Sequence, residues 1–304
     1  MPTYKILSLD GGGIRGLFTA VLLHRLSAQV PGFLDRADLL AGTSTGGILA
    51  LGLADKMSTV QLVKLYKDHG KAIFSSSWLH KVRDLGDVIG AKYSNANLIS
   101  IIRAQFGDRT LNDLLPRRVL IPTFDLDKPA KGHIPRMWNP KYFHNFPGSE
   151  SDGAQKIADV VLRTSAAPTF FPVYQGYVDG GVAANNPAMS ALAQALDKNT
   201  GNQALADIRL FSVGTGLSPV RIPGESNNWG IFQWARHLPE MLIEGMMGVA
   251  DYECARLLHH NYFRLAPVLP HPIPLDAAGK IDELIAQAEK ADLAPAVNWL
   301  NANF

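Results

Sequence analysis

The segment Leu39-Leu40-Ala41-Gly42-Thr43-Ser44-Thr45-Gly46-Gly47-Ile48-Leu49-Ala50-Leu51-Gly52-Leu53-Ala54 decides the fold. Three apolar residues feed a Gly-x-Ser-x-Gly turn, and an unbroken apolar run leaves it. That is the pattern of a strand passing through a nucleophile elbow into a helix. Small residues are needed at Gly42 and Gly46 because the turn brings strand and helix backbone together beneath an exposed serine oxygen. Thr45 supplies the backbone N–H that follows the nucleophile. A serine that merely caps the N-terminus of the same helix is the plainer explanation of Ser44.

Toward the amino terminus, Tyr4 to Leu9 is a short β run that ends on Asp10-Gly11-Gly12-Gly13-Ile14-Arg15-Gly16, and Leu17 to Val30 has helical apolar spacing. Three consecutive glycine N–H groups ahead of a helix can hold an oxyanion. The same residues also satisfy the Gly-x-Gly-x-x-Gly pattern of a dinucleotide site, with Asp35 about 20 residues on. Two features count against that use. Asp35 lies in Pro31-Gly32-Phe33-Leu34-Asp35-Arg36, which does not read as the end of a second strand, and Asp10 would put a carboxylate beside a pyrophosphate. The glycine loop and the elbow together favour acyl transfer through a covalent serine ester.

Toward the carboxyl terminus, the pattern predicts a helix capped by Ser58 and running to about His69. It then predicts a strand over Arg117–Phe124, a helix over Ile157–Thr164 and a strand over Tyr174–Val178. A helix from Pro187 to Leu196 and a last clear core strand over Ile208–Val213 follow. Strands alternating with helices imply a three-layer α/β fold with a largely parallel sheet. In such folds ligands sit at the carboxyl ends of the strands, where this pattern puts Gly11 to Gly13, Ser44, Asp179 and Gly214.

A serine hydroxyl needs a base within hydrogen-bond reach. In the order of an α/β-hydrolase the base is a late histidine, and His237, His259, His260 and His271 all come late enough. None has a flanking pattern that marks it. The other candidate is Asp179 in Tyr177-Val178-Asp179-Gly180-Gly181, which leads to Asn185-Asn186-Pro187 at a helix start. A carboxylate is ordinarily a weak base, so this role requires a raised pKa in a partly dry cleft.

Asp10 to Gly16, Gly42 to Gly47 and Asp179 to Gly181 resemble the patatin-like phospholipase family in order and spacing. Ser165-Ala166-Ala167-Pro168-Thr169-Phe170-Phe171-Pro172 also looks like that family's segment before the aspartate. The resemblance covers about residues 4 to 215. It implies a lipid acyl hydrolase on a three-layer α/β/α patatin-like fold, with Ser44 as nucleophile and Asp179 as sole base of a dyad. It also implies an oxyanion hole from Gly11, Gly12 and Gly13, and an arginine, Arg15, that braces the loop or adds positive potential. Gly42, Thr45, Gly46 and Gly180 support these groups, and no metal or cofactor is called for. Some bacterial members act as effectors switched on by cyclic nucleotides, which the resemblance keeps open here.

The chain of 304 residues, 47% hydrophobic, is long enough to bury a sizeable core, and no linker or repeat divides it. One patatin-like domain over 1–304 is expected, with a helical extension from about 225 to 304. The net charge of +2 announces no nucleic-acid surface, and the single cysteine, Cys254, excludes an internal disulfide. The longest uncharged apolar stretch, Leu39 to Ala54, falls short of the ~20 residues that span a bilayer. The start of the chain shows no secretory pattern, so a cytoplasmic protein is expected. Its partner is an acyl-ester lipid, with transient contact at a membrane surface. Residues 70–112, with Phe74, Trp78, Leu79 and Ile89, and residues 227–262, with Met241, Met246 and Met247, read as peripheral helical core. Trp78, Trp229 and Trp234 are candidates for lipid contact.

Overall fold

The computed structural model describes residues 3–74, 90–222, 224, 228–235 and 237–304. Trp78, Leu79 and Ile89 lie outside the described residues.

Strands β1 (Tyr4–Leu9), β2 (Leu39–Gly42), β3 (Arg118–Lys128), β4 (Met137–His144), β5 (Tyr177–Asp179), β6 (Ile208–Val213) and β7 (Tyr262–Leu265) form a single sheet. Its order is β4-β3-β2-β1-β6-β7, with β5 paired to β3. The pairs β1–β2, β1–β6, β2–β3 and β6–β7 are parallel, and β3–β4 and β3–β5 are antiparallel. The central strands are buried on both faces, as a parallel sheet between helical layers requires.

The helices are α1 (Gly16–Gln29), α2 (Thr45–Ala54), α3 (Thr59–Ile73), α4 (Ala96–Phe106), α5 (Ile157–Thr164), α6 (Gly181–Ala184), α7 (Ala188–Leu196), α8 (Ile231–Ala235), α9 (Leu238–Leu258), α10 (Ile281–Lys290) and α11 (Ala294–Asn303). Strand alternation divides their packing between two faces. Leu7, Leu9, Leu40, Phe211 and Val213 join Phe18, Leu22, Leu49 and Val161 in one core cluster. Ile6, Leu39, Ala41, Ile208 and Leu210 join Ala191 and Leu192 of α7 and Cys254 and Leu258 of α9 in the other. The result is a three-layer α/β/α sandwich with a mostly parallel sheet. Ser58 caps α3 as expected, its hydroxyl accepting from the Gln61 N–H at 3.2 Å.

The C-terminal third differs from a purely helical extension. Tyr262-Phe263-Arg264-Leu265 pairs with β6 from Leu210↔Tyr262 to Val213↔Leu265, and α10 and α11 pack into the α1 side of the core. Trp299 of α11 stacks on Phe211 with ring centres 5.9 Å apart. No helix among the described residues is long and apolar enough to cross a membrane.

Candidate active site

Register brings the key residues together. Ala41 lies opposite Leu120 on β3, so a straight continuation of β2 would put residue 44 opposite Thr123. The chain turns out of the sheet at Ser44 instead, and β5 takes the vacated place, with Asp179 opposite Thr123. The antiparallel direction of β5, like that of β4, is not suggested by alternating α/β elements.

Ser44 has φ 54° and ψ −121°. A non-glycine residue in that region costs about 1–3 kcal/mol and persists only when its surroundings impose it. Here the surroundings are specific. A side chain at Gly42 would strike the Gly46 carbonyl, and one at Gly46 would strike the Leu9 carbonyl. The Ser44 N–H donates to Thr164 Oγ1 at 3.0 Å, and that buried hydroxyl donates to the Pro122 carbonyl at 2.6 Å. Thr43 Oγ1 donates to the Ala184 carbonyl at 2.6 Å, tying the elbow to α6 directly after Asp179. On the other flank the hydroxyls of Thr45 and Tyr66 are bonded to each other, and Tyr66 donates to the Thr45 carbonyl at 3.1 Å. Neither Thr164 nor Tyr66 carries a motif that would have singled it out in the sequence.

Asp179 is 5% exposed. Its Oδ1 accepts from the Gly181 N–H at 2.7 Å, and its backbone N–H donates to the Ala166 carbonyl at 3.0 Å. That bond gives the Ser165–Pro172 segment its place in the site. Burial pushes the Asp179 carboxyl up to about 6, while hydrogen bonding to Ser44 and to Gly181 pulls it partway back. No cation enters among those influences. The direction and cause are those a carboxylate base requires.

The glycine loop is held from several sides. The Gly11 N–H donates to the Asn185 carbonyl at 3.0 Å, and Asn185 Nδ2 donates back to the Gly11 carbonyl at 3.3 Å. The Gly11 N–H is therefore committed, which corrects its expected part in an oxyanion hole. Among the described residues, the N–H groups of Gly12 and Gly13 have no acceptor. Gly13 has φ +56°, and a side chain there would strike the Leu275 carbonyl, so the loop depends on glycine at that point. Arg15 is buried. Its Nη1 donates to Ser218 Oγ at 2.6 Å, and its guanidinium lies in the field of Glu240 and Glu244 on α9. Met247 of the same helix accepts from Asn185 Nδ2 at 3.0 Å, so α9 lies against the back of the loop.

Asp10 is also buried, in an ion pair with Arg264 of β7 at 2.6 Å. Nothing local in the sequence marks Arg264, which sits on a four-residue strand just after α9 and the turn His259–Asn261. Asp35 stands far from the loop, exposed in the turn Leu34–Arg36 and paired with Arg117 at 2.8 Å. The second half of the dinucleotide pattern is thus absent from this edge. Of the late histidines, His259 and His260 precede β7 at the opposite edge of the sheet. His271 pairs with Glu283 at 2.6 Å, and His237 stacks on Trp229. Among the described residues, no group of three or more His, Cys, Asp or Glu could hold a metal ion.

A half-buried serine on a strained elbow thus stands beside a buried carboxylate at the edge of a three-layer α/β/α sandwich, next to a glycine loop whose Gly12 and Gly13 N–H groups have no acceptor among the described residues. The sequence model described as patatin-like phospholipase matches residues 7–192, and the chain belongs to that family, a class of lipid hydrolases. Among its relatives, Protein teg of Priestia megaterium is 32% identical, with both chains covered in full. A cGAMP-activated phospholipase of Pseudomonas aeruginosa is 31% identical over 87% of this chain and 78% of its own. Patatin-like protein 2 of Arabidopsis thaliana is 30% identical over 87% of this chain and 76% of its own.

Proposed function

We propose that this protein is a lipid acyl hydrolase of the phospholipase A type that works through a Ser44–Asp179 dyad and an acyl-serine intermediate. The buried carboxyl of Asp179, raised to about 6 with no cation beside it, carries the reading. A carboxylate with that pKa is largely ionised at neutral pH, yet basic enough to accept the Ser44 proton as bonding to the ester carbon develops. The tetrahedral oxyanion lies between the N–H groups of Gly12 and Gly13, with the Thr45 N–H at the start of α2 as a further donor. Collapse expels the alcohol, which takes the proton from Asp179. Asp179 then removes a proton from water, the hydroxyl attacks the acyl carbon, and Ser44 leaves with that proton as the fatty acid departs.

The test is labelling with a fluorophosphonate, with the adduct located by mass spectrometry. The expected adduct is on Ser44, lost in Ser44→Ala and greatly slowed in Asp179→Asn. Undiminished labelling of Asp179→Asn overturns the dyad and returns a histidine to contention.

The names of several relatives favour a second reading, in which a cyclic dinucleotide switches the activity on. Hydrolysis by the purified chain with and without cGAMP distinguishes them. Turnover that needs the added nucleotide supports the switched enzyme, and full turnover without it supports a constitutive one.

A further inference from the structure

Two apolar projections rise from the edge of the sheet that holds Ser44, one on either side of it. On one side, β3 and β4 run on past Thr123, the level of Asp179; β5 stays paired to β3 as far as Asp125, and beyond Leu126 the two strands extend as a hairpin. It closes at Gly132-His133, where Lys131 and Ile134 exchange backbone hydrogen bonds at 3.0 Å. Ile134, Met137 and Trp138 are exposed there, Trp138 by 66%. Between residues 127 and 138 stand the exposed cations Lys128, Lys131 and Arg136, with Arg136 ion-paired to Asp127 and Lys131 to Glu150 at 3.0 Å.

On the other side, α9 meets β7 at the far edge of the sheet, so its amino-terminal end points toward the site. Met247 lies against the glycine loop through Asn185, and Glu244 and Glu240, nearer the amino end of α9, face Arg15. Leu238 stands nine residues before Met247, about 14 Å along the helix at the helical rise. Short α8 precedes it, with Trp229 folded back onto His237 at the start of α9 and Ile231 and Phe232 exposed by 89% and 91%. β3 and β6 are three strands apart, about 14 Å at the usual spacing.

We infer that these two projections seat the protein on a phospholipid bilayer, with the mouth of the site held against the lipid surface between them. The inference rests on the lipid hydrolase reading. The occupant follows from three observations. Both projections lie on the substrate-facing edge, so a flat surface touching both also covers Ser44. The hairpin combines a tryptophan with basic residues, the chemistry of a headgroup layer. Apolar side chains exposed to this degree gain burial from an acyl boundary that water does not give them.

Flotation with vesicles of phosphatidylcholine, with and without phosphatidylglycerol, tests it. Ser44→Ala protein is used so that binding is read without turnover. The expected result is binding strengthened by phosphatidylglycerol and weakened by salt. Ile134→Ser with Trp138→Ser should lower partition about tenfold or more, and Phe232→Ser by a smaller factor. In the Ser44 background, these substitutions should leave hydrolysis of a soluble short-chain ester unchanged. Lys128→Glu, a change at a surface cation outside the Arg136–Asp127 and Lys131–Glu150 pairs, should weaken the dependence on phosphatidylglycerol. The inference is overturned if the hairpin variants bind vesicles like the parent. It is equally overturned if velocity sedimentation shows that these side chains join two copies of the chain. Vesicle binding intact in a protein that hydrolyses no ester would sink the hydrolase reading and leave the docking surface standing.

Discussion

Asp10 and Asp179 are both buried carboxylates at the same edge of one sheet, and they have opposite surroundings. Asp10 meets the guanidinium of Arg264, which reaches it at 2.6 Å and also donates to Ser212 at 2.8 Å. Asp179 meets a serine hydroxyl and one backbone N–H. Burial raises both carboxyls, and only Asp10 has a cation to oppose it. The pairing makes Asp10 a strut between β1 and β7. In the proposed mechanism its lack is what leaves Asp179 free to take a proton, because an arginine beside a carboxylate favours the ionised form.

The largest expected effect separates the two by activity. Ser44→Ala should abolish acylation, and Asp179→Asn should slow it by about 10²–10⁴-fold, the usual contribution of a positioned base. Rapid-mixing measurement of the acylation burst reads this directly. A burst in Asp179→Asn equal to that of the parent would make the two carboxylates alike and end the contrast.

Next comes the strut. Arg264→Met leaves the Asp10 carboxylate buried and unpaired, which typically destabilises by about 3–5 kcal/mol. Denaturant titration at neutral pH should show that loss, and Arg264→Met with Asp10→Asn should recover part of it. No recovery in the double variant would mean that Arg264 acts through packing rather than charge.

Asp179→Asn should have the opposite sign in stability. A folded-state value of about 6 against 3.8 unfolded means that the native protein holds the proton more tightly. Stability from this group is therefore greatest below pH ~4 and declines as pH rises through about 6. At 1.36 kcal/mol per unit, the ionised carboxylate costs about 3 kcal/mol at neutral pH. Asp179→Asn should regain a good part of that at pH 7 to 8 and nothing below pH ~4. The acylation rate of the parent should rise with an apparent pKa near 6, as Asp179 loses its proton. Equal stability of variant and parent at both ends of the pH range would show that Asp179 is not strained by its burial.

The contrast also shows what the sequence made legible. Ser44, Asp179 and the glycine loop sit beside short-range signals: glycines at fixed offsets and strand-to-helix switches of pattern. β1, β2, α5 and β6 have clean periodicity for the same local reason, and the pattern places them within a residue of their observed bounds. Arg264 acts on a residue more than two hundred positions earlier, and Thr164 reaches Ser44 from the end of a helix that looks unremarkable in sequence. Such partners come together only through the sheet register, which no local window contains. The Gly11 N–H makes the same point: it belongs to an apparent oxyanion run, and only the fold reveals that Asn185 has already engaged it.

Thr164 offers the smallest and sharpest test, because it distinguishes holding the nucleophile from holding the fold. Its hydroxyl accepts from the Ser44 N–H and donates to the Pro122 carbonyl, joining elbow to β3. Thr164→Val keeps the shape and removes both bonds, leaving a backbone donor and an acceptor unsatisfied in a buried place. That should cost about 1–3 kcal/mol of stability. If the bond also fixes the strained φ of Ser44, acylation should fall about tenfold under conditions where the variant is fully folded, with KM for a soluble ester little changed. Thr164→Ser restores the hydroxyl and should recover the rate. A loss of stability with an unchanged acylation rate would assign the strain at Ser44 to the close glycine contacts alone.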